Sequence, residues 1–290
     1  MRCAFILNPI AGNGFASRSM EKLEENLKDR PEIVYRVFLT ERPGHATEMA
    51  AGLAAEGTWD IVFSVGGDGT AFETAAGLAE TGQKMAVIPA GTGNDFVKAV
   101  GLPREPAEAL AFALCHEPRP VDLGRINDGA FLNICGTGFD VTVLDYAAEL
   151  KKKYRGLTPY LLGLVKAIAH HRSVRLKLTI DGRTEEGEFL TCAIANGQFF
   201  GGGIPICPAA RPDDGKLNVV LIRNRPRWMI PFYLPGLMMG RALSFKITKH
   251  VLADRVEMES PGMRVNVDGE IFSMDRAVFS LRRGALNLIR

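Results

Sequence analysis

The sequence predicts two domains of different class. Residues 1–120 read as an α/β domain with a parallel sheet and helices, and 121–290 as an antiparallel β-sandwich, with the last residues free to return to the first domain. Three observations carry this. Up to about residue 115, short apolar runs alternate with helical periods, the pattern of strand–helix–strand units. From 121 onward, strand-like runs follow one another closely, with Asn127-Asp128-Gly129 and Asp181-Gly182 as hairpin turns. Three of the early strands end in glycine-rich turns, where parallel sheets collect their ligands.

In order, residues 4–7 read as a buried strand that runs into Asn8-Pro9-Ile10-Ala11-Gly12-Asn13-Gly14. A helix over 17–28 carries Met20, Leu23 and Leu27 on one face. Residues 32–39 alternate as a strand, and 40–44 form a loop. Gly44-His45 opens a helix with Met49 and Leu53 inward. The apolar run 61–63 feeds Ser64-Val65-Gly66-Gly67-Asp68-Gly69-Thr70, and an Ala-rich helix follows over 71–79. Residues 84–88 form the next strand, ending in Pro89-Ala90-Gly91-Thr92-Gly93-Asn94-Asp95-Phe96. Short helices follow over 96–100 and 105–114. Beyond them come a hairpin of 121–126 with 130–135, a glycine turn over 136–140, and a helical segment to 171. Strands are expected over 174–180, 188–195, 217–222, 244–248, 255–259, 263–267 and 277–281.

Composition narrows the function. The chain has 290 residues, is 47% hydrophobic and carries a net charge of +2, so nothing points to nucleic acid. Its five cysteines form no C-x-x-C pair, which disfavours zinc and a disulfide framework and fits a reducing cytoplasm. No secretory leader is expected, and no stretch reaches the roughly 18 apolar residues of a membrane span. The nearest, 228–239, is interrupted by Pro231 and Pro235. Trp228, Phe232 and Tyr233 within it, flanked by Arg223, Arg225, Arg227 and Arg241, suit a lipid–water interface, and equally a core helix.

The glycine turns carry the chemistry. Three glycines in four positions let the backbone bring bare N–H groups to a ligand, and the helix behind Gly66-Gly67-Asp68-Gly69 adds positive dipole. That combination suits polyphosphate. Asp68 inside an anion cradle points to Mg²⁺, directly or through water. A plain turn with Asp as helix cap is the competing reading. Asn94 and Asp95 either point into a cleft or cap the next helix. Asp268 and Glu270 lie two apart, so an extended strand would put both carboxylates on one face, though Asp-Gly also marks a hairpin tip. No G-x-x-x-x-G-K-[ST] occurs, which excludes a P-loop kinase, and no G-x-G-x-x-G follows a strand.

Five motifs together resemble the bacterial diacylglycerol kinase and lipid kinase family, whose catalytic domain is shared with sphingosine and ceramide kinases. They are Asn8-Pro9-x-Ala11-Gly12-x-Gly14, Gly66-Gly67-Asp68-Gly69-Thr70, Gly91-Thr92-Gly93-Asn94-Asp95-Phe96, Asp213-Asp214-Gly215-Lys216-Leu217 and Asp268-Gly269-Glu270, in family order over nearly the whole chain. The second also occurs in NAD kinases and phosphofructokinase-like folds. The resemblance implies that Asn8, Gly12, Thr40, Gly66, Gly67, Asp68, Gly69, Thr70, Thr92, Asn94 and Asp95 line an ATP site. It implies Glu270 as general base with Asp268 as its partner. It implies a structural Mg²⁺ on Asp214 and the main-chain carbonyls of Arg211 and Lys216, although Arg211-Pro212 departs from the apolar residues usual there. The implied enzyme is peripherally membrane-associated, and a homodimer is compatible with it. It transfers the γ-phosphoryl of ATP to a lipid hydroxyl. Diacylglycerol leads among acceptors; phosphatidylglycerol, sphingoid bases and a soluble acceptor such as NAD stay open.

Overall fold

A computed structural model of the chain describes residues 1–151, 153–154, 158–170 and 172–290. The chain divides into two compact units, Met1–Leu123 with Arg282–Arg290, and Gly124–Leu281. The first unit holds β1 (Arg2–Leu7), α1 (Ala11–Lys28), β2 (Val34–Leu39), α2 (His45–Glu56), β3 (Ile61–Gly66), α3 (Asp68–Leu78), β4 (Lys84–Pro89), α4 (Asp95–Ala99), α5 (Pro106–Cys115) and most of β5 (Pro118–Ile126). Its strands run β2-β1-β3-β4, and all of these pairs are parallel. Every residue of β3 is buried, as a parallel strand covered on both faces requires. Phe5 stacks on Phe63 with ring centroids 4.5 Å apart, and Met20, Leu23 and Leu27 of α1 close over the same core. In α2 the buried residues are Ala46, Ala50 and Leu53, while Met49 is only half-buried.

The second unit adds β6 (Gly129–Phe131), β7 (Ile134–Gly138), α6 (Phe139–Lys151), α7 (Thr158–His170), β8 (Val174–Ile180), β9 (Arg183–Ala195), β10 (Phe199–Phe200), β11 (Ile204–Pro205), β12 (Leu217–Arg223), α8 (Ile230–Met238), β13 (Thr248–Ala253), β14 (Val256–Val267) and β15 (Glu270–Ile289). Its strands pair antiparallel, including β12 with β9 and β13. Both β9 and β14 are shared strands. Each pairs with β8 over one half and with β7 over the other. β14 shifts register between Glu259 and Met263, around Pro261, which has no N–H to give a ladder. Leu178, Ile194, Val219, Met258, Val265 and Phe279 face one another inside these strands. β15 runs on into the first unit, where Asn287 and Leu288 pair in parallel with Lys84 and Met85 of β4.

Several expected boundaries are corrected. The strand expected over 130–135 is two, β6 and β7, broken at Leu132-Asn133. The glycine turn expected over 136–140 is the end of β7 and the start of α6. The helix expected to reach 171 is two helices; residue 171 itself lies outside the described residues. Residues 244–247 form no strand; Ala242–Ser244 is a 3-10 turn and β13 begins at Thr248. The strands expected over 255–259 and 263–267 are one bulged strand, and the last strand starts at Glu270 rather than 277. Among the described residues no helix is long and apolar enough to cross a membrane.

Candidate active site

In the first unit, three glycine turns meet at the carboxyl ends of β1, β3 and β4. The main chain ties them together: Asn8 N–H donates to Val65 O (3.0 Å) and Ala90 N–H to Gly66 O (2.7 Å). The Asn8 side chain reaches from the first turn to the second, its Nδ2 donating to Thr70 Oγ1 at 3.2 Å. The turns also touch where only glycine fits. Gly12 has φ +58°, and a Cβ there would lie 2.4 Å from Ala90 O. A Cβ on Gly91 would lie 2.4 Å from Gly67 Cα. α3 starts at Asp68, directly behind this contact, so its first-turn N–H groups and positive dipole end belong to the cluster.

The polar side chains of the turns brace the cluster. Asp68 Oδ1 accepts the Phe96 N–H at 3.0 Å, linking the second turn to the third. Burial pushes the Asp68 carboxyl above its ordinary range and the Asp95 charge adds to this, against hydrogen bonds from the Phe96 and Asp95 amides. Asn94 takes a left-handed backbone (φ 52°) and folds back on its own turn, accepting from Gly91 N–H at 3.0 Å and donating to Gly91 O at 3.1 Å. Asp95 is buried, 3.0 Å from Lys98 Nζ. Asn94 is the N-cap residue of α4 but makes no side-chain cap bond, and Asp95 is closed off from solvent. Gly69 and Thr92 are exposed, and Thr40 is half-buried at the end of β2, its N–H on Leu7 O. His45 Nδ1 accepts the Glu41 N–H at 3.2 Å.

In the second unit, Asp268 and Glu270 do not share a strand face. Asp268 has φ 47° and Gly269 φ 102°, so both sit in the tight turn between β14 and β15, and Glu270 is the exposed first residue of β15. The Asp268 carboxylate accepts three main-chain N–H groups, from Leu132, Asn133 (3.0 Å) and Ile134 (2.8 Å). This explains the break between β6 and β7: those amides serve the carboxylate instead of a strand neighbour. Asn266 Oδ1 accepts the Gly269 N–H at 2.8 Å. Asn266 Nδ2 donates to Asp140 Oδ2 (3.2 Å), and Thr191 Oγ1 donates to Asp140 Oδ1 (3.0 Å). Burial drives the Asp140 carboxyl up, opposed by these bonds. Sequence reasoning missed Leu132, Asn133, Asn266 and Asp140, because partners 126 to 136 residues apart leave no local pattern.

For a divalent cation, two places were expected. The first is Asp68, whose Oδ1 already holds the Phe96 amide. In the 211–216 loop, Asp214 Oδ1 accepts the Lys216 N–H at 2.9 Å, and Lys216 Nζ lies 2.8 Å from Asp254. Mg²⁺ takes oxygen donors, and the exposed Asp214 carboxylate supplies one. Among the described residues no three His, Cys, Asp or Glu gather into a ligand cluster. Trp228 and Phe232 are exposed, whereas Ile230 is buried and Tyr233 packs inward, so α8 is half core and half surface.

Comparison with known proteins covers both units. Residues 2–126 match the diacylglycerol kinase catalytic domain, and residues 133–290 match the YegS C-terminal NAD kinase beta sandwich-like domain. A Pseudomonas putida protein named "Probable lipid kinase YegS-like" is 35% identical over 258 residues, 88% of this chain and 85% of its own. A diacylglycerol kinase of Mycobacterium tuberculosis is 30% identical over 292 residues, 98% of this chain and 94% of its own. A crystal structure of a diacylglycerol kinase from Bacillus anthracis str. Sterne superposes with a TM-score of 0.74 at 26% identity, covering 99% of this chain and 96% of that one.

Proposed function

We propose, from the premise that this chain belongs to the diacylglycerol kinase and YegS-like lipid kinase family, that it moves the γ-phosphoryl group of ATP to the hydroxyl of diacylglycerol, giving phosphatidic acid. The observation that carries this reading is the braced cluster of three glycine turns. The side chains of Asn8, Asp68, Asn94 and Asp95 bond to the scaffold, so the groups left to meet phosphate are main-chain amides, the start of α3 and the exposed Thr92. Fixed dipoles of that kind stabilise charge on a transferring phosphoryl group without rearranging.

Glu270 is the base. It takes the proton of the acceptor hydroxyl as that oxygen forms its bond to phosphorus and the β–γ bridging bond breaks, with ADP leaving. Asp268 is a positioning residue. By holding Leu132, Asn133 and Ile134 it fixes the turn from which Glu270 projects, and Asn266 with Asp140 fixes the same turn from behind. Mg²⁺ would be held structurally by Asp214 and the carbonyls of Arg211 and Lys216. At the nucleotide it would supply neutralising charge. Peripheral attachment to the bilayer follows from a water-insoluble acceptor.

The test is transfer of labelled phosphate from ATP to diacylglycerol, phosphatidylglycerol, ceramide, sphingosine and monoacylglycerol in mixed micelles, with NAD as soluble control. Labelled phosphatidic acid is expected. Label on another lipid would replace the acceptor; label on NAD alone, or on none while ATP binds, would overturn the reading.

A further inference from the structure

The second unit presents an apolar face that its own core does not use. On α7, Leu161 and Val165 are 60% and 64% exposed, one helical turn apart. In the 3-10 turn Arg227–Met229 and the start of α8, Trp228 and Phe232 are 70% and 76% exposed, with rings edge to face at 6.4 Å. Met238 and Met239 extend the exposed side of α8. The two elements are joined, since Arg227 Nη1 donates to Ala169 O near the end of α7 at 3.0 Å.

Beside Trp228 lies an open cavity of about 640 Å³, lined by Arg172, Ser173, Asn224, Arg225, Pro226 and Arg227. Arg225 and Arg227 donate to main-chain carbonyls, of Asn224 and Ala169, rather than to carboxylates. The Ser173 hydroxyl donates to Glu188, so among the described residues lining the cavity and their hydrogen-bond partners three guanidinium groups stand against one carboxylate. The sequence around both elements is one-signed. Between Glu149 and Asp181 there is no acidic residue, and between Asp214 and Asp254 there is none either, in a chain with 33 of them. Those two stretches carry Lys166, Arg172, Lys177, Arg223, Arg227 and Arg241 among other basic residues.

Exposed aromatics beside clustered arginines are complementary to an anionic bilayer: apolar side chains enter the headgroup–acyl boundary while guanidinium groups hold lipid phosphates. Self-association through this face would instead set like charges against each other. We propose that α7, the Arg227–Met229 turn and α8 form the surface that seats this protein on an anionic membrane, with the Arg172–Arg225–Arg227 cavity taking one phospholipid phosphate. This deepens the lipid kinase reading and rests on it for its purpose, but binding to vesicles is measurable without turnover.

The experiment is vesicle co-sedimentation of the full chain, with phosphatidylcholine vesicles and with phosphatidylcholine–phosphatidylglycerol vesicles. Wild type is expected to partition onto the anionic vesicles. Replacing Arg172, Arg225 and Arg227 together by Gln should weaken that partition about 100-fold, from roughly fivefold for each basic residue, and remove the preference for anionic lipid. Trp228→Ser with Phe232→Ser should weaken binding to both vesicle types at least about tenfold. Both variants should phosphorylate a dispersed short-chain diacylglycerol at the wild-type rate. In a Trp59→Phe chain, Trp228 fluorescence should be quenched by brominated acyl chains, a readout that needs no surface variant to fold. Unchanged partition in both variants, absent quenching, or a dimer in light scattering that these substitutions dissociate would overturn the proposal. Vesicle binding with no phosphorylation of any lipid would leave the surface standing and remove the kinase reading.

Discussion

Gly69 gives the sharpest test of where phosphate binds. It is the second residue of α3 and exposed, its φ is not in the left-handed region, and a Cβ there would meet nothing within 4 Å. The fold therefore has no use for glycine at this position. In a helix glycine is roughly 0.5–1 kcal/mol worse than alanine, and the penalty is smaller in the first turn. Gly69→Ala should raise stability by about 0.5 kcal/mol. If phosphate sits on the α3 N-terminus, the new methyl group occupies space the ligand needs and blocks close approach to the amides. Nucleotide affinity should then fall about tenfold, near 1.4 kcal/mol. The assays are urea unfolding and calorimetric titration with ATP. Gly91→Ala is the contrast. Its Cβ would lie 2.4 Å from Gly67 Cα and 2.9 Å from Asn94 Oδ1, so the turns must separate by about 1 Å, which overpacks the cluster by roughly 1–3 kcal/mol and costs about 100-fold in turnover. A Gly69→Ala protein that is more stable and binds ATP unchanged would refute a phosphate site at the start of α3.

Four further outcomes are expected. Glu270→Gln should keep ATP affinity and lower kcat by about 100-fold to 10⁴-fold; near-normal turnover would remove Glu270 from the chemistry. Asp268→Ala leaves three amides without their acceptor and should destabilise the second unit by about 4 kcal/mol after allowance for partial exposure. Asp268→Asn keeps one oxygen for Asn133 and Ile134 and should cost about 2 kcal/mol; equal urea midpoints for both would show that the anchor does not matter. Asp214→Ala should lower stability by about 1 kcal/mol and abolish Mg²⁺ protection in thermal melts, whereas full protection would mean the ligands lie elsewhere. Asp68 has a folded-state carboxyl raised above its unfolded value, so its contribution is fully present below the unfolded pKa and is lost as pH rises through the folded one. Asp68→Asn keeps an acceptor for Phe96 without a charge, so the urea midpoint should decline less between about pH 4 and pH 7 than in wild type; parallel profiles would exclude Asp68 as the titrating group.

The three glycine turns at strand ends were legible because both signals are local: an apolar run that stops, and glycines that relax the backbone. Their mutual contacts were not. Asn8 to Thr70 spans 62 residues and Asp68 to Phe96 spans 28, and no short pattern reports such bonds. The same blindness misplaced 130–135, where Phe131, Leu132 and Ile134 read as one strand until Asp268 claims the amides between them. It also misread 136–140, where Gly-Thr-Gly looks like a turn but Gly136 lies in β7, with space for a Cβ already filled by Asp140 Oδ2.

The polar side chains of these turns make bonds that the sequence does not report. The sequence sets Asp68, Asp95, Asp268 and the carboxamide of Asn94 beside glycines, and polar side chains so placed invite giving each one a ligand. In the folded chain each of the four holds protein groups instead: an amide of the next turn, the ends of its own turn, a lysine, or the start of a strand. This division has a physical reason. A cradle for a polyanion gains from main-chain amides, whose partial positive charge is fixed in place, and is weakened by carboxylates facing the same space. In the proposed nucleotide site of the first unit, directing Asp68 and Asp95 into the scaffold would remove that repulsion and stiffen the amides at the same time. Glu270, exposed at the head of β15, projects outward from a braced turn, the geometry that our proposal asks of a proton acceptor.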